Sequence, residues 1–400
     1  MTSSGEGSQE KLWTTPFVAA VLVNLFMSSV FYLLLTSMAG YAVETFAASD
    51  ALAGLASSGF ILGAVVSRLL TGKFLDFVGR RRLVLISMIG YIVIGIAYIP
   101  VTNLGLLIAL RLLHGVAFGA GNTALVASVQ SAIPAARRAE GNGYFATATT
   151  LSTAVGPFLA VWLSQNYGFE SVFTLSAILG GAGLLAGWFF TVPERIPTSE
   201  EHAQVWSLRL GTFIDRGGLR IGAVIGLAGF AYASVLSFLA VHTEAMGIPE
   251  VASAYFAAYA IASLVARLVV GRIQDRHGDN VVILPVLACY TVGMVLIGVG
   301  QTPVTIIAAG VLVGLGFGSL LPSLLAVVVN LSVPSRVGVV TSTFYLFLDL
   351  GSGVGPILLG YVVTGFGFPV MFLVAAALTV LSGLLYVYVH GRQAVARGVY

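Results

Sequence analysis

Charged residues are scarce in this sequence. They make up 9% of its 400 residues, whereas a soluble domain carries about 25%. Apolar residues reach 58%, and the mean hydropathy is +0.98. So few charges cannot cover the surface of a soluble protein of this size, which excludes a soluble enzyme, a disordered chain and a nucleic-acid-binding protein. The composition indicates an integral membrane protein.

Cysteine is nearly absent as well. The single residue, Cys289, excludes an internal disulfide and a metal site built on several thiolates. The sequence has no His-Glu-x-x-His motif, and no serine–histidine or paired-aspartate arrangement falls at membrane depth. We therefore expect no enzyme activity, no metal and no cofactor.

Twelve apolar segments are each long enough to cross the ~30 Å hydrocarbon core of a bilayer as a helix. They are far longer than the ~10-residue alternating strands of a membrane β-barrel. The predicted fold is an all-α integral membrane protein with tails at 1–16 and 391–400, six-helix halves at 17–192 and 219–390, and a connection at 193–218. The segments are 17–39, 51–72, 83–101, 104–131, 141–163, 171–192, 219–242, 251–271, 281–300, 304–331, 338–363 and 369–390.

The basic residues fall almost entirely on one side of this arrangement. If the N-terminus is cytoplasmic, the cytoplasmic loops and tails collect the lysines and arginines, up to Arg397 in the C-terminal tail, whereas the six opposite loops hold none. The positive-inside rule then predicts a multi-pass protein of the cytoplasmic (inner) membrane with both termini in the cytoplasm.

The connection carries a helix-start pattern. Thr198 and Glu201 have the spacing of a capping box. The pattern predicts a short helix on the membrane surface, with a flexible linker as the alternative. The apolar residues that follow are Trp206, Leu208, Leu210 and Phe213.

The two predicted halves repeat each other at a constant offset of 199 residues. Segment 67–79 aligns with 266–278, and three motifs in three different spans share the offset, which chance does not explain. The chain is therefore predicted to be two parallel six-helix halves, an arrangement typical of transporters. The matched pairs are Arg68 and Arg267, Gly72 and Gly271, Asp76 and Asp275, Gly79 and Gly278, Gly115 and Gly314, Gly119 and Gly318, Gly156-Pro157 and Gly355-Pro356, and Gly168-Phe169 and Gly367-Phe368.

These residues resemble the major facilitator superfamily over the whole chain. The family signature Gly-x-x-x-Asp-x-x-Gly-Arg-[Lys/Arg] between spans two and three is matched in full at 72–81, and its second copy at 271–280 lacks the basic pair. Arg111 followed by Gly115 and Gly119 matches the span-four motif. In span five, only Gly156-Pro157 matches the antiporter motif of the family. The equivalent segment of span eleven matches this motif more closely.

The resemblance implies twelve transmembrane helices in two halves related by a pseudo-twofold axis, closest to the drug or metabolite:proton antiporters with twelve spans. The motif residues are expected to gate the conformational change, for example by accepting hydrogen bonds from helix N-termini. The alternative is that the charges only set the topology. The expected gating residues are Gly72, Asp76, Gly79, Arg80, Arg81, Gly271, Asp275, Gly278, Gly156, Pro157, Gly355 and Pro356.

Asp349 is an ionisable residue about eleven positions into its span, near the bilayer midplane. A charge at that depth needs a reason because its insertion costs ~2.5–3.5 kcal/mol. Ser342, Tyr345 and Ser352 share its helix face, and this face is expected to line an aqueous cavity. We expect Asp349 to carry a proton; a structural carboxylate hydrogen-bonded to neighbouring helices is the alternative.

Arg111 and His114 are the other candidates for proton coupling. Arginine keeps its charge, so Arg111 is expected to attract an anionic group or to tune His114, which can titrate near neutral pH. The alternatives are an arginine that reaches the outer surface and a packing histidine.

Two polar stripes are expected to line the substrate cavity. Asn24, Ser28 and Tyr32 recur every four residues on the first span, and Tyr255 and Tyr259 do so on the eighth. Ser342 and Tyr345 are added from the Asp349 face. The alternative is a buried contact between helices.

The predicted function is secondary active transport of a small organic solute by alternating access, as proton-coupled export of a drug-like compound or metabolite. The alternatives are proton-coupled uptake of a small solute, for example an anion, and uncoupled facilitation. One proton crossing 100 mV supplies ~2.3 kcal/mol, which supports a roughly 40-fold solute gradient. The expected partners are the solute, protons and the lipid bilayer, with no nucleic acid, and the chain is expected to be a monomer.

Overall fold

The computed structural model describes residues 11–203, 206–207, 209–248 and 250–392, and every regular element in this part of the chain is helical. Most of the two predicted tails, Arg397 among them, and Leu208 lie outside the described residues. The helices are α1 Thr15–Phe46, α2 Asp50–Val78, α3 Arg80–Ala97, α4 Leu104–Val129, α5 Arg138–Tyr167, α6 Phe169–Trp188, α7 Ser199–Ala203, α8 Arg216–Ala245, α9 Glu250–His277, α10 Asp279–Val299, α11 Pro303–Asn330 and α12 Val337–Tyr386.

Ten of the described helices are long and apolar enough to cross a membrane, and two features explain why twelve segments were predicted. Helix α3 begins with three consecutive arginines, Arg80 to Arg82, which lower the apolar content of its 18 residues. Helix α12 has 50 residues and would be ~75 Å long if straight. Its backbone leaves the helical region at Gly367, with φ 80° and ψ 171°, which divides it into arms 337–366 and 368–386.

The bend at Gly367 has a counterpart at the 199-residue offset. Gly168, between α5 and α6, has φ 78° and ψ 170°, almost the same backbone conformation. Side chains other than glycine rarely adopt a positive φ of this kind. The repeat seen in the sequence is therefore also a repeat of backbone geometry.

Helix packing inside the halves follows the same offset. A Cβ atom built on Gly115 of α4 would lie 1.9 Å from the Phe60 carbonyl oxygen of α2, and one on Gly314 of α11 would lie 2.5 Å from that of Tyr259 in α9. Both partners of the first contact are 199 residues from those of the second. Glycine is required at these crossings because the backbones touch.

The two halves meet along α2 with α12 and along α5 with α9. A Cβ on Gly72 would lie 3.2 Å from the Gly338 carbonyl oxygen, and one on Gly271 would lie 2.6 Å from that of Ala139. These contacts are again related by the offset, so the interface has the pseudo-twofold symmetry of the fold. They lie towards one end of the bundle, which we call the arginine-rich end. It comprises 72–82, 131–140, 193–203, 206–207, 209–216, 271–280 and 330–338.

The connection between the halves contains a short helix where the helix-start pattern predicted one. This helix, Ser199–Ala203, follows directly after Thr198, and a single 3-10 turn, Leu210–Thr212, precedes α8. Between them the chain packs against α2. The Lys73 ammonium donates to the Ser207 carbonyl oxygen at 2.5 Å, and the Trp206 and Phe74 rings lie 6.0 Å apart.

Candidate functional site

An ion pair joins the two halves at Asp349. Its Oδ2 accepts a hydrogen bond from Arg68 Nε of α2 at 2.6 Å. Arg68 also donates to Asn122 Oδ1 and Thr123 Oγ1, each at 3.2 Å, and its guanidinium carbon lies 5.0 Å from the centre of the Tyr345 ring. The Arg68 side chain is 5% exposed and that of Asp349 is 19% exposed. The carboxylate is therefore the more accessible member of the pair.

The mirror position of this ion pair holds a different set of groups. Arg267 lies 199 residues after Arg68, and Thr150 lies 199 residues before Asp349. The Arg267 guanidinium donates to the Thr150 hydroxyl and the Ala146 carbonyl of α5, and to the Gly318 carbonyl of α11 at 3.2 and 3.4 Å. No salt bridge to Arg267 occurs among the described residues. One crossing thus has an ion pair, and the other has a cation held by neutral groups.

Tyrosines surround the two arginines. Tyr32, Tyr259 and Tyr345 lie within electrostatic range of the Arg267 guanidinium. Tyr232 extends this aromatic surface, since its ring stacks on Phe317 at 4.2 Å and on Tyr259 at 5.5 Å. All four tyrosines are half-buried. We call the group formed by Arg68, Asp349, Arg267, Tyr32, Tyr259 and Tyr345 the central site.

The other residues expected to line a cavity lie in helix packing interfaces instead. Asn24 Nδ2 donates to the Phe145 carbonyl at 3.0 Å and to Thr149 Oγ1 at 3.1 Å, and the Ser28 hydroxyl donates to Asn24. Short polar side chains satisfy one another in this way between α1 and α5, where no water competes.

Two further predicted cavity residues are also enclosed by packing. Tyr255 is fully buried against α11, where its carbonyl oxygen lies 2.7 Å from a Cβ built on Gly310. Ser342 is buried too, and its hydroxyl donates to the Arg68 carbonyl at 2.5 Å. Tyr32, Tyr259 and Tyr345 are thus the predicted cavity residues that the structure brings together.

Arg111 and His114 lie inside the N-terminal half, and both are fully buried, so Arg111 does not reach the outer surface. Arg111 donates to the α2 carbonyls of Ala56 at 2.9 Å and Ser57 at 3.0 Å. His114 Nδ1 lies 3.0 Å from the Tyr98 hydroxyl. Neither residue has a hydrogen bond or ion pair with Asp349 among the described contacts, so the structure does not join the three predicted proton-coupling residues.

Asp275 joins the halves at the arginine-rich end. Its carboxylate accepts from the Ala139 and Glu140 amides at 3.0 and 2.9 Å, at the start of α5. Glu140 in turn pairs with Arg272 of α9 and with Arg137, both at 2.7 Å. The second motif copy thus binds the opposite half directly through a helix N-terminus.

Asp76, the counterpart of Asp275, does not cap a helix of the other half among the described contacts. It pairs with Arg80 at 2.9 Å and with Arg195 at 3.2 Å. Arg80, the first of the two basic residues that complete the first motif copy, therefore pairs with the aspartate of its own copy. Gly79 and Gly278 of the two copies have positive φ values of 96° and 89° at the starts of α3 and α10.

Glu194 and Asp215 of the connection make contacts at the arginine-rich end that the sequence did not predict. Glu194 accepts from the Arg80 and Arg81 amides at 2.7 and 2.9 Å, at the start of α3. Asp215 caps α8 and pairs with Arg336 at 2.6 Å. Burial opposes ionisation of Asp215, but the hydrogen bonds from Arg336 and two backbone amides outweigh it and lower the pKa of this carboxyl.

The glycine–proline pairs lie at close crossings within each half. A Cβ on Gly156 would lie 2.7 Å from Tyr32 Cβ in α1, and one on Gly355 would lie 2.8 Å from the Phe230 carbonyl in α8. Pro157 and Pro356 follow inside their helices. The Gly156 crossing places Tyr32 of the central site against α5.

A cavity of about 410 Å³ lies at the arginine-rich end. It is lined by both halves and by the connection, with Arg80, Arg138, Glu194 and Arg195 among its walls. The inter-half contacts of Gly72 and Gly271 lie at the same end of the bundle as this cavity.

Positions at which the two aligned halves carry different residues would have pointed to the residues around Arg267 that the sequence did not single out. Arg267 was recognised only as a repeat of Arg68, and Thr150, Tyr232 and Phe317 were not singled out. The signal was present, because the offset that aligns the arginines also aligns Asp349 with Thr150. A mismatch between aligned polar positions at membrane depth indicates a difference in charge between two similar crossings.

Comparisons with known proteins agree with this architecture. The family model described as Major Facilitator Superfamily matches residues 19–301 and 224–398. An uncharacterized MFS-type transporter of Burkholderia mallei is 24% identical over 372 residues, covering 90% of this chain and 88% of its own. The uncharacterized MFS-type transporter YhhS of Shigella flexneri is 26% identical over 379 residues, covering 92% and 91%.

Two solved structures share the fold. The human organic anion transporter MFSD10 (TETRAN) superposes with a TM-score of 0.79 at 19% identity, covering 93% of this chain and 98% of its own. The transporter FucP in its outward conformation gives a TM-score of 0.76 at 14% identity, covering 95% and 99%. With the repeat, the helical halves and the family match together, the chain belongs to the major facilitator superfamily and is a multi-pass secondary transporter, not an enzyme.

Proposed function

We propose that this chain couples the movement of a small organic solute to the movement of protons, and that Asp349 carries the proton. The observation that carries the proposal is the ion pair between Asp349 and Arg68, which links the halves at 2.6 Å. Among the described residues, Asp349 is the carboxylate in the middle of a membrane-crossing helix. It is also partly accessible, as a proton carrier must be.

The ion pair gives protonation a mechanical consequence. A proton on Asp349 removes the negative charge that attracts Arg68, which weakens the contact between α2 and α12. The described inter-half hydrogen bonds lie between the arginine-rich end and the level of Arg68 and Arg267, so that end is closed. Protonation therefore favours its opening, because it destabilises the closed state and leaves other states unaffected.

The orientation of the bundle follows from its charges. We infer that the arginine-rich end faces the cytoplasm, as the positive-inside rule requires, and that the membrane is the cytoplasmic one. On this orientation the structure is closed towards the cytoplasm. The overlap with FucP in its outward conformation supports this assignment.

Export by proton antiport is the direction we propose first. The tyrosines of the central site combine aromatic surface with hydroxyl groups, which suits drug-like compounds and amphipathic metabolites. Uptake of an anionic solute with protons is the second candidate, and the observation that favours it is Arg267, a cation with no carboxylate partner in the described structure. MFSD10, whose fold is similar, is described as a human organic anion transporter.

Proteoliposomes loaded with a pH dye test the proposal. With an acidic interior, an exported solute added outside should speed proton exit, whereas a symported solute should carry protons inward without an imposed gradient. Asp349→Asn should abolish both signals, and Glu244→Gln, at an exposed position, serves as the matched carboxylate control. Solute flux without any proton signal in the wild type would refute the proposed coupling.

His114 is tested in the same vesicles. We keep Arg111 and His114 as candidates for a second proton site within the N-terminal half, because both are fully buried and lie three residues apart on α4. Comparing flux against pH for wild type and His114→Gln tests the histidine. Superimposable profiles would remove His114 from the proton path.

A further inference from the structure

We propose that Arg267 is an anion-binding group of the central site and that the transported solutes carry a carboxylate on an aromatic or apolar body. This inference rests on the proposed transport through the central site and names the substrate class. It stands on the partners of Arg267, on the mirror relation to Arg68, and on the tyrosines around it.

The first argument concerns the charge of Arg267. The residue is 8% exposed, and its described partners are two backbone carbonyls and one hydroxyl. Neutral oxygens satisfy N–H groups but do not neutralise a cation. A buried charge at membrane depth is costly without a counter-charge, so a bound anion would stabilise this position.

One hydrogen-bond donor also remains available. A guanidinium has five N–H groups, and four hydrogen bonds from Arg267 are described. The contacts to Ala146 and Thr150 are made to the opposite half. An anion bound to Arg267 would therefore compete with the contact between α9 and α5, which connects solute binding to the separation of the halves.

The second argument is the comparison with Arg68. The two arginines occupy equivalent places, and their crossings share the same backbone contacts. Arg68 has its carboxylate in Asp349, whereas the equivalent residue for Arg267 is Thr150. The nearest carboxylate along α5 is Glu140, ten residues and ~15 Å away along the helix, and it is already paired with Arg137 and Arg272.

The third argument concerns the rest of the solute. Tyr32, Tyr259 and Tyr345 lie around Arg267, and Tyr232 with Phe317 continues the aromatic surface. Such walls bind apolar and aromatic groups, and a single cation among them orients the ligand. This arrangement fits an organic monocarboxylate better than a sugar or an inorganic anion.

Binding measurements on the purified full-length protein test the assignment without any proton gradient. Isothermal titration would compare benzoate, 4-phenylbutyrate and octanoate with their neutral carboxamides. Wild type should bind at least one carboxylate ten times more tightly than its amide. Thr150→Asp supplies Arg267 with a counter-charge like the one that Arg68 has, whereas Thr150→Asn is its uncharged control. The preference for the carboxylate over the amide should fall at least tenfold further in Thr150→Asp than in Thr150→Asn.

These variants keep the guanidinium, so the test does not depend on whether Arg267→Gln folds. Equal binding of every acid and its amide to wild type would overturn the inference, as would a Thr150→Asp variant that keeps the preference. Loss of proton coupling is a separate result. If Asp349→Asn keeps proton-linked flux while Thr150→Asp loses carboxylate preference, the proton assignment fails and the anion site stands.

Discussion

Neutralising Asp349 should open the arginine-rich end of the bundle. Asp349→Asn keeps the size of the side chain and removes its charge, leaving Arg68 buried without a counter-charge among its described partners. The inter-half contacts of α2 and α12 lose their ionic component, while those of α5 and α9 are unchanged. The expected result is a larger fraction of molecules with this end open.

The magnitude follows from the geometry. Two unit charges 2.6 Å apart attract by about 6 kcal/mol at an effective dielectric constant of ~20. Desolvation of both groups offsets much of this. The net contribution of a hydrogen bond between charged groups is about 1.5–3 kcal/mol, so the ratio of open to closed molecules should rise at least tenfold.

Distances between spin labels measure this ratio. Labels at Ala135→Cys and Val333→Cys, two exposed positions on opposite halves at the arginine-rich end, would be placed in a Cys289→Ser background. Asn330→Ala is the control, because it removes an exposed contact with Arg138 across the same interface and should change the ratio less than threefold.

The double variant Arg68→Gln/Asp349→Asn completes the measurement. If Arg68 and Asp349 act through their ion pair, the two single substitutions are not additive. The ratio of open to closed molecules in the double variant should then be closer to the wild-type ratio than the summed effects of the two single variants predict. Unchanged distance distributions in Asp349→Asn would refute the reasoning, since the described charged and titratable neighbours of Asp349 are Arg68 on α2 and Tyr345 on its own helix.

Three other predictions use contacts outside the central site. Gly271→Ala places a Cβ 2.5 Å from Glu140 Cα and should favour the open arginine-rich end in the same label experiment, whereas Gly353→Ala, with open space around it, should not. Glu194→Gln should lower the unfolding free energy by about 0.5–1 kcal/mol in thermal denaturation, because it weakens the cap of α3, and the exposed Glu200→Gln should leave it unchanged. The pKa of Asp215 is lowered in the folded state, so its carboxylate stabilises the fold at pH values above its ordinary pKa of 3.8. This stabilisation is lost as the pH falls through the pKa of the folded state. The difference in unfolding free energy between wild type and Asp215→Asn should therefore be constant from pH 5 to 7 and shrink below pH 4.

The fold was predictable because a membrane restricts the choices. Long apolar helices are among the few structures that satisfy their backbone in lipid, so the apolar segments and their offset of 199 residues lead directly to two helical halves. The places where segment counting and the structure differ are chemically special. Arg80 to Arg82 make α3 less apolar, and the non-helical backbone of Gly367 divides α12 into two arms, which correspond to two of the predicted segments.

The site was less predictable because helix periodicity identifies a face but not the neighbour of that face. Asn24 and Ser28 share the stripe of Tyr32, yet they bond to α5 and Tyr32 alone reaches the central site. Arg68 and Asp349 are 281 residues apart, and nothing local relates them. The repeat carries part of this information, since it places Arg68 and Arg267 at equivalent positions of the two crossings.

The two crossings between the halves have the same backbone geometry and different charges, and this combination has a functional consequence. Gly72 and Gly271 allow the backbones to approach at both crossings. Their energies then differ through the side chains at 349 and 150. A carboxylate makes one crossing sensitive to protons, and a hydroxyl leaves the other with a free positive charge. Because both crossings must open for the arginine-rich end to open, a proton at Asp349 and an anion at Arg267 would act on one conformational equilibrium from different positions, and coupling between them needs no direct contact.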